Sequence, residues 1–290
     1  MTSSSDPGSI VGVGRWAKGD AYERYMGRWS ARVAPNFVRW LDAPSGAAWL
    51  DVGCGSGALG RAILDSDTNS ELTVNGVDPS SGFVKTAQAL TADPRARFRV
   101  ASAEGLPFDS GEFGLVVSGL VLNFLTDPVA GLREMARVCR SGGTVAGYVW
   151  DYTGEMWLAR HFWETVFDLL PDARELDEVR RFAACRPEPL RELFSAAGLV
   201  DIEFKALDET AQFSDFDDYW GPFLAGQGAA PSFVVSLPDA TQAALGDALR
   251  QRLPAGADGT IALQLRVWAI RGRVERQKCR PLGRRAGPLP

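Results

Sequence analysis

The sequence predicts a doubly wound α/β fold: a mostly parallel, seven-stranded sheet with helices on both faces and a helical, aromatic lid built from insertions. Three observations predict it. Short apolar strands alternate with helical stretches through the first half of the chain, a glycine cluster follows the first strand, and two late strands alternate polar with apolar residues. With 46% hydrophobic and 23% charged residues, the 290-residue chain has the apolar content to bury a large core.

After a polar lead to about Asp20, Tyr22 to Leu41 carries apolar residues at helical spacing, broken by Gly27 and Pro35, which predicts two short helices. Trp49 to Gly53 is a strand running into Gly53, Gly55, Gly57 and Gly60, from which Ala58 to Leu64 departs as a helix. The alternation repeats with strand Leu72 to Val77, helix Phe83 to Leu90, and strands Phe98 to Ala101 and Leu115 to Leu122. A helix spans Pro128 to Arg140, because Asp127 caps it, Pro128 presets its first turn, and Gly142 and Gly143 stop it. Its buried stripe is Val129, Leu132, Met135, Ala136 and Cys139. Thr144 to Val149 is a fifth strand, and such a series implies a parallel sheet covered on both faces.

The later strands differ. Val200, Ile202, Phe204 and Ala206, and then Ile261, Leu263, Leu265, Val267 and Ala269, alternate with mostly polar partners, a period that predicts edge strands with one antiparallel pairing. Before each lies an aromatic-rich segment, Trp157 to Leu170 and Phe216 to Phe223, too long for a simple connection and read as an insertion over the sheet.

Charge and composition exclude several classes. Thirty-one basic against 36 acidic residues leave a net charge of −5, which disfavours nucleic acid and anionic lipid as partners. The basic tail from Arg273 to Pro290 reads as a solvated terminus. No apolar run is long enough for a membrane span, and MTSSSDPGSI lacks a secretory signature, so a cytoplasmic location is expected. Cys54, Cys139, Cys185 and Cys279 are scattered and His161 is the single histidine, so neither a disulfide framework nor a zinc site is expected. Cys54 reads as a small buried residue rather than a nucleophile. Asp215, Asp217 and Asp218 suit helix capping better than metal binding.

Asp51-Val-Gly53-Cys-Gly55-Ser-Gly57 carries the chemistry. Glycines let the backbone turn out of the sheet and approach a ligand where open α/β sheets bind one. Gly55-Ser-Gly57-Ala-Leu-Gly60 also fits the dinucleotide fingerprint, so the loop alone leaves a nicotinamide dinucleotide open. Charge separates the two readings. A carboxylate at Asp51 repels a pyrophosphate but attracts the ammonium and sulfonium of S-adenosylmethionine (SAM). Asp78, ending the second strand, suits ribose hydroxyls of either nucleotide.

The chain resembles the class I SAM-dependent methyltransferases, a Rossmann-like fold, and within them the methyltransferase type 11 group that includes quinone-biosynthesis enzymes. The resemblance spans Tyr22 to about Tyr152 and rests on Leu50-Asp-Val-Gly-Cys-Gly-Ser-Gly57, Gly76-Val-Asp-Pro-Ser80, Ala103-Glu-Gly-Leu-Pro-Phe108, Leu120-Val-Leu-Asn-Phe-Leu-Thr-Asp-Pro128 and Arg140-Ser-Gly-Gly143. It implies that Gly53, Gly55 and Gly57 flank the methionine part of SAM, Asp51 its amino group, Asp78 the ribose and the Ala103 backbone the adenine edge. It also implies a ligand contact at Ser118, and a leading helix closing over SAM in which Tyr25 and Arg28 meet the carboxylate. Ser102 stands where the family usually has an aspartate facing adenine, Gly114 replaces another aspartate, and Asn123-Phe124 stands where many relatives carry histidines.

The expected organisation is a lead over residues 1–20, a SAM-binding core over 21–152, the remaining strands with lid insertions (about 153–186 and 214–256) over 153–274, and a disordered basic tail over 275–290. The expected function is methyl transfer from SAM to a small, partly apolar molecule. Methyl transfer requires no nucleophilic residue; a base is needed only where the acceptor must lose its proton, and His161, a tyrosine or a lid carboxylate could serve. An NAD(P)-dependent oxidoreductase and a non-catalytic binding protein on the same scaffold are the competing readings. Oligomeric state is left open.

Overall fold

The computed structural model describes residues 23–226 and 228–275. The expected lead (1–20) and all but the first residue of the expected tail lie outside them. Seven strands form one sheet: β1 (Ala48–Val52), β2 (Thr73–Asp78), β3 (Ala96–Val100), β4 (Phe113–Gly119), β5 (Cys139–Trp150), β6 (Leu199–Phe213) and β7 (Ile261–Val274). Their spatial order is β3-β2-β1-β4-β5-β7-β6. The pairs among β1 to β5 are parallel, as the apolar runs require. β7, however, lies between β5 and β6 and is antiparallel to both. The expectation of one antiparallel pairing and two edge strands is therefore corrected. β7 is an interior strand because β5 pairs with one of its edges and β6 with the other, and its alternating apolar residues Ile261, Leu263, Leu265, Val267 and Ala269 are buried on one face.

Helices α1 (Arg28–Leu41), α2 (Ala58–Ser66), α3 (Ser81–Leu90) and α4 (Pro128–Val138) accompany the parallel strands. Strand order runs one way from β1 to β3 and the other way from β4 to β5, so right-handed crossovers put α2 and α3 on one face and α4 on the other. That reversal opens a crevice between β1 and β4 at their carboxyl ends.

Two boundaries differ from the sequence reading. Pro35 does not divide α1, which runs unbroken after a π-turn over Glu23–Gly27. The proline and Ala31, four residues back, are both solvent-exposed, while Trp29, Val33, Ala34, Phe37, Val38 and Leu41 are buried, so packing of the apolar face outweighs the ~3 kcal/mol an interior proline costs. Likewise α4 ends at Val138 rather than Arg140, and Cys139 begins β5 by pairing with Phe113. The cap is as expected: the Asp127 carboxylate accepts the Ala130 amide at 2.9 Å.

The long connections fold as helices. After β5 come α5 (Trp157–Leu169), a 3-10 turn over Pro171–Leu176, α6 (Glu178–Arg181) and α7 (Pro187–Ala196). After β6 come α8 (Phe216–Trp220), a 3-10 turn over Gly221–Ala225, α9 (Ala229–Ser236) and α10 (Asp239–Arg252). α7 packs on α4 and on β6 and β7, whereas α5 packs on α10, joining the two segments. Among the described residues no helix is long and apolar enough to cross a membrane.

Candidate functional site

Asp51 sits on the central strand β1, between Gly76 of β2 and Val117 of β4. It is 1% exposed, and neither carboxylate oxygen meets a hydrogen-bond partner. Burial pushes its pKa up to about 7, and the nearby Asp78 adds to the shift; the Gly60 amide opposes it without reaching hydrogen-bond geometry. An unpartnered buried carboxyl is costly, and a hydrogen-bond donor or cation placed beside it would relieve that cost.

The loop after β1 turns left-handed at each expected glycine, with φ +75° at Gly53, +51° at Gly55 and +87° at Gly57. A Cβ on Gly53 would lie 2.4 Å from Val121 Cγ2, so the strand end can pass Val121 only without a side chain. At Gly55 nothing lies within 4 Å of that position, which leaves one side of the loop open. The Gly53 and Cys54 amides are tied to the Val77 carbonyl at 2.8 and 2.9 Å, which fixes the loop to β2. Asp78 accepts the Gly55 amide at 3.1 Å and the Ser80 amide at 2.8 Å. Burial raises its pKa, and those two amides oppose the shift.

Below this loop a cavity of about 190 Å³ is lined by Asp51, Gly53, Gly55, Asp78 and Tyr25 among others. The structure thus brings five of the expected site residues together. Tyr25 is buried, its ring edge-on to Phe223 at 5.1 Å, and burial pushes its phenol well up, followed by Glu178 and Tyr219.

The other candidates lie off the cavity wall. Gly57 opens α2 beside the loop as its left-handed cap. Arg28 turns to Asp218, with a 2.8 Å ion pair and a second bond to its carbonyl at 3.3 Å, and it stacks over Trp29 and Phe213. Ser118 gives its hydroxyl to the Val52 carbonyl at 2.9 Å, stitching β4 to β1. Ala103 is buried in the core, and Ser102 bonds Glu104. His161 is half-buried on α5 against Trp157, with Nδ1 unpartnered and its pKa lowered by burial. Asp215 does cap α8, accepting the Asp218 amide at 2.8 Å, and the Cys54 thiol is buried with its pKa raised, as expected. Among the described residues no cluster could hold a metal ion.

Sequence reasoning missed the far wall of the cavity. Leu120, Phe124, Trp150, Tyr152, Met156, Glu178, Arg181 and Phe182 line it. Leu120 adopts φ +61°, a strained backbone for a leucine, which turns the chain at the end of β4. Glu178, in the first turn of α6, accepts the indole N–H of buried Trp163 at 2.8 Å. Burial raises the pKa of its carboxyl, with the indole bond opposing. The available signal was an acidic residue inside an aromatic-rich insertion.

An open α/β sheet with this strand order, a glycine loop leaving β1 and acidic residues near the ends of β1 and β2 is a Rossmann-like domain with its ligand crevice at the strand reversal. Residues 50–147 match the Methyltransf_11 family model, described as a methyltransferase domain. The chain is 31% identical over 189 residues to 2-methyl-6-phytyl-1,4-hydroquinone methyltransferase of Synechocystis, covering 64% of this chain and 57% of that one. It spans only about half the length of the curated relatives it matches. Among solved structures, a chain from Anaeromyxobacter dehalogenans aligns with a TM-score of 0.59 at 19% identity, covering 84% of this chain and 97% of that one. Phosphoethanolamine N-methyltransferase 2 of Haemonchus contortus aligns at 0.52 and 19% identity, covering 89% of this chain and 57% of that one. These structural likenesses establish the fold.

Proposed function

We propose that this protein transfers a methyl group from SAM to a small, partly apolar acceptor held between the sheet and the two helical insertions, which act as its lid. The observation that carries the reading is Asp51, a buried carboxyl facing the cavity without a hydrogen-bond partner. The ammonium of SAM supplies the missing partner. Asp78 ends β2 where its carboxylate takes ribose hydroxyls, and Gly55 keeps a bare face of the loop toward the ligand. Tyr25, on the turn before α1, closes the methionine end.

When bound, SAM supplies a methyl group on a sulfonium with a neutral leaving group, so the protein's part is alignment and exclusion of water. The aromatic walls provide both. The relative from Synechocystis is named for a hydroquinone, which supports an apolar aromatic acceptor here. A cytoplasmic site of action completes the proposal.

Calorimetric titration with S-adenosylhomocysteine, SAM and NAD tests it. Binding of the first two and silence with NAD is expected; tight NAD binding with no response to SAM would return the protein to the oxidoreductases.

A further inference from the structure

Glu178 lines the cavity from the helical insertion after β5, near enough to Tyr25 to act on it electrostatically. One oxygen is held by the Trp163 indole at 2.8 Å, and no other protein donor reaches this carboxylate among the described residues. Around it stand flat apolar faces: Phe182 lies 4.7 Å from Tyr152 and 5.4 Å from Phe124, and all three line the cavity. Arg181 lines the same end and pulls on Glu178 electrostatically. Its positive charge disfavours a cationic guest beside it.

We propose that this end of the cavity is the acceptor subsite, that it takes a planar, largely apolar molecule bearing a hydroxyl, and that Glu178 accepts that hydroxyl's hydrogen bond and then its proton. The inference rests on the methyltransferase reading. As the methyl–sulfur bond breaks, its electron pair stays on sulfur and the acceptor oxygen bonds the methyl carbon. The hydroxyl proton passes to the Glu178 carboxylate, so charge and atoms balance. Burial raises the proton affinity of that carboxyl, which suits it to the task. The indole bond from Trp163 fixes its orientation.

Calorimetry on the full chain, with and without S-adenosylhomocysteine, tests this with 2-naphthol, 2-methoxynaphthalene and 2-naphthylmethylamine as probes. A hydrogen bond to a charged group predicts that 2-naphthol binds ~10- to 100-fold tighter than its methyl ether. Glu178→Gln keeps an oxygen for the Trp163 indole, so the fold persists, but it loses the charge; the preference should fall to less than about threefold. A preference that survives in Glu178→Gln, equal or absent binding of naphthol and ether, or tighter binding of the amine would each overturn the proposal. The two readings fail separately. Silence toward S-adenosylhomocysteine with an intact naphthol preference sinks the methyl-donor assignment alone, while normal cofactor binding with no preference sinks the acceptor subsite alone.

Discussion

Asp51 links stability to ligand binding through one proton. In the unfolded chain its carboxyl ionises near 3.8, but in the free folded protein only near about 7. Between those values the folded state holds a proton that the unfolded state has lost, so the group's contribution is fully present below about pH 4 and declines as pH rises toward 7. The loss amounts to up to ~4 kcal/mol. Urea unfolding of Asp51→Asn and the parent across this range should therefore show the variant gaining relative stability as pH rises, and a parallel pair of curves would refute the assignment. A bound ammonium reverses the sign for binding. S-adenosylhomocysteine should bind the parent more tightly at pH 8 than at pH 6, with the dependence lost in the variant. The glycines divide in the same way between folding and binding. Gly53→Ala adds a methyl against Val121 to a left-handed backbone and should cost ~2 to 4 kcal/mol in thermal or urea unfolding. Gly55→Ala meets open space and should cost only the ~1 to 2 kcal/mol of its positive φ, while weakening the ligand that fills that space.

At the scale of elements, the ion pair between Arg28 of α1 and Asp218 of α8 joins two parts of the chain 190 residues apart. Both side chains are about a third exposed, so the pair itself contributes ~1 kcal/mol or less to stability. Its larger effect is local. Arg28→Met should change global stability little and speed amide exchange over Phe216 to Ala225, the segment whose Phe223 packs on Tyr25; unchanged exchange there would mean that Phe223, Tyr219 and Phe162 hold the segment alone. Local patterns made most elements legible: apolar runs marked the parallel strands, and Asp127-Pro128 marked the start of α4. What the patterns could not express was competition between elements. Pro35 is tolerated because the buried face of α1 outweighs it, and Cys139 joins β5 because Phe113 offers a strand partner that helix periodicity does not reveal.

Across the whole molecule, the half of the site nearest the glycine loop was legible because its residues are adjacent in sequence and their chemistry depends on backbone shape. Arg28 was not, since its destination is set by Asp218 across the fold, and Glu178 was not, since only the packing of α6 against the cavity gives it meaning. The assembled cavity predicts how the protein responds to ligands. The cavity, about 190 Å³, is assembled from residues of β1, β2, β4, β5, α5 and α6, which come together only in the folded chain. Ligand held this way binds the folded state alone. At a hundredfold excess over Kd, S-adenosylhomocysteine should add ~2.7 kcal/mol. In a chain of this size that raises Tm by ~4 °C, read by differential scanning calorimetry. NAD at the same concentration should leave Tm unchanged, because its pyrophosphate meets the Asp51 carboxylate instead of an ammonium. A rise with NAD and none with S-adenosylhomocysteine would show that the buried carboxyl turns away from the loop and that the amides after Gly55 serve phosphate.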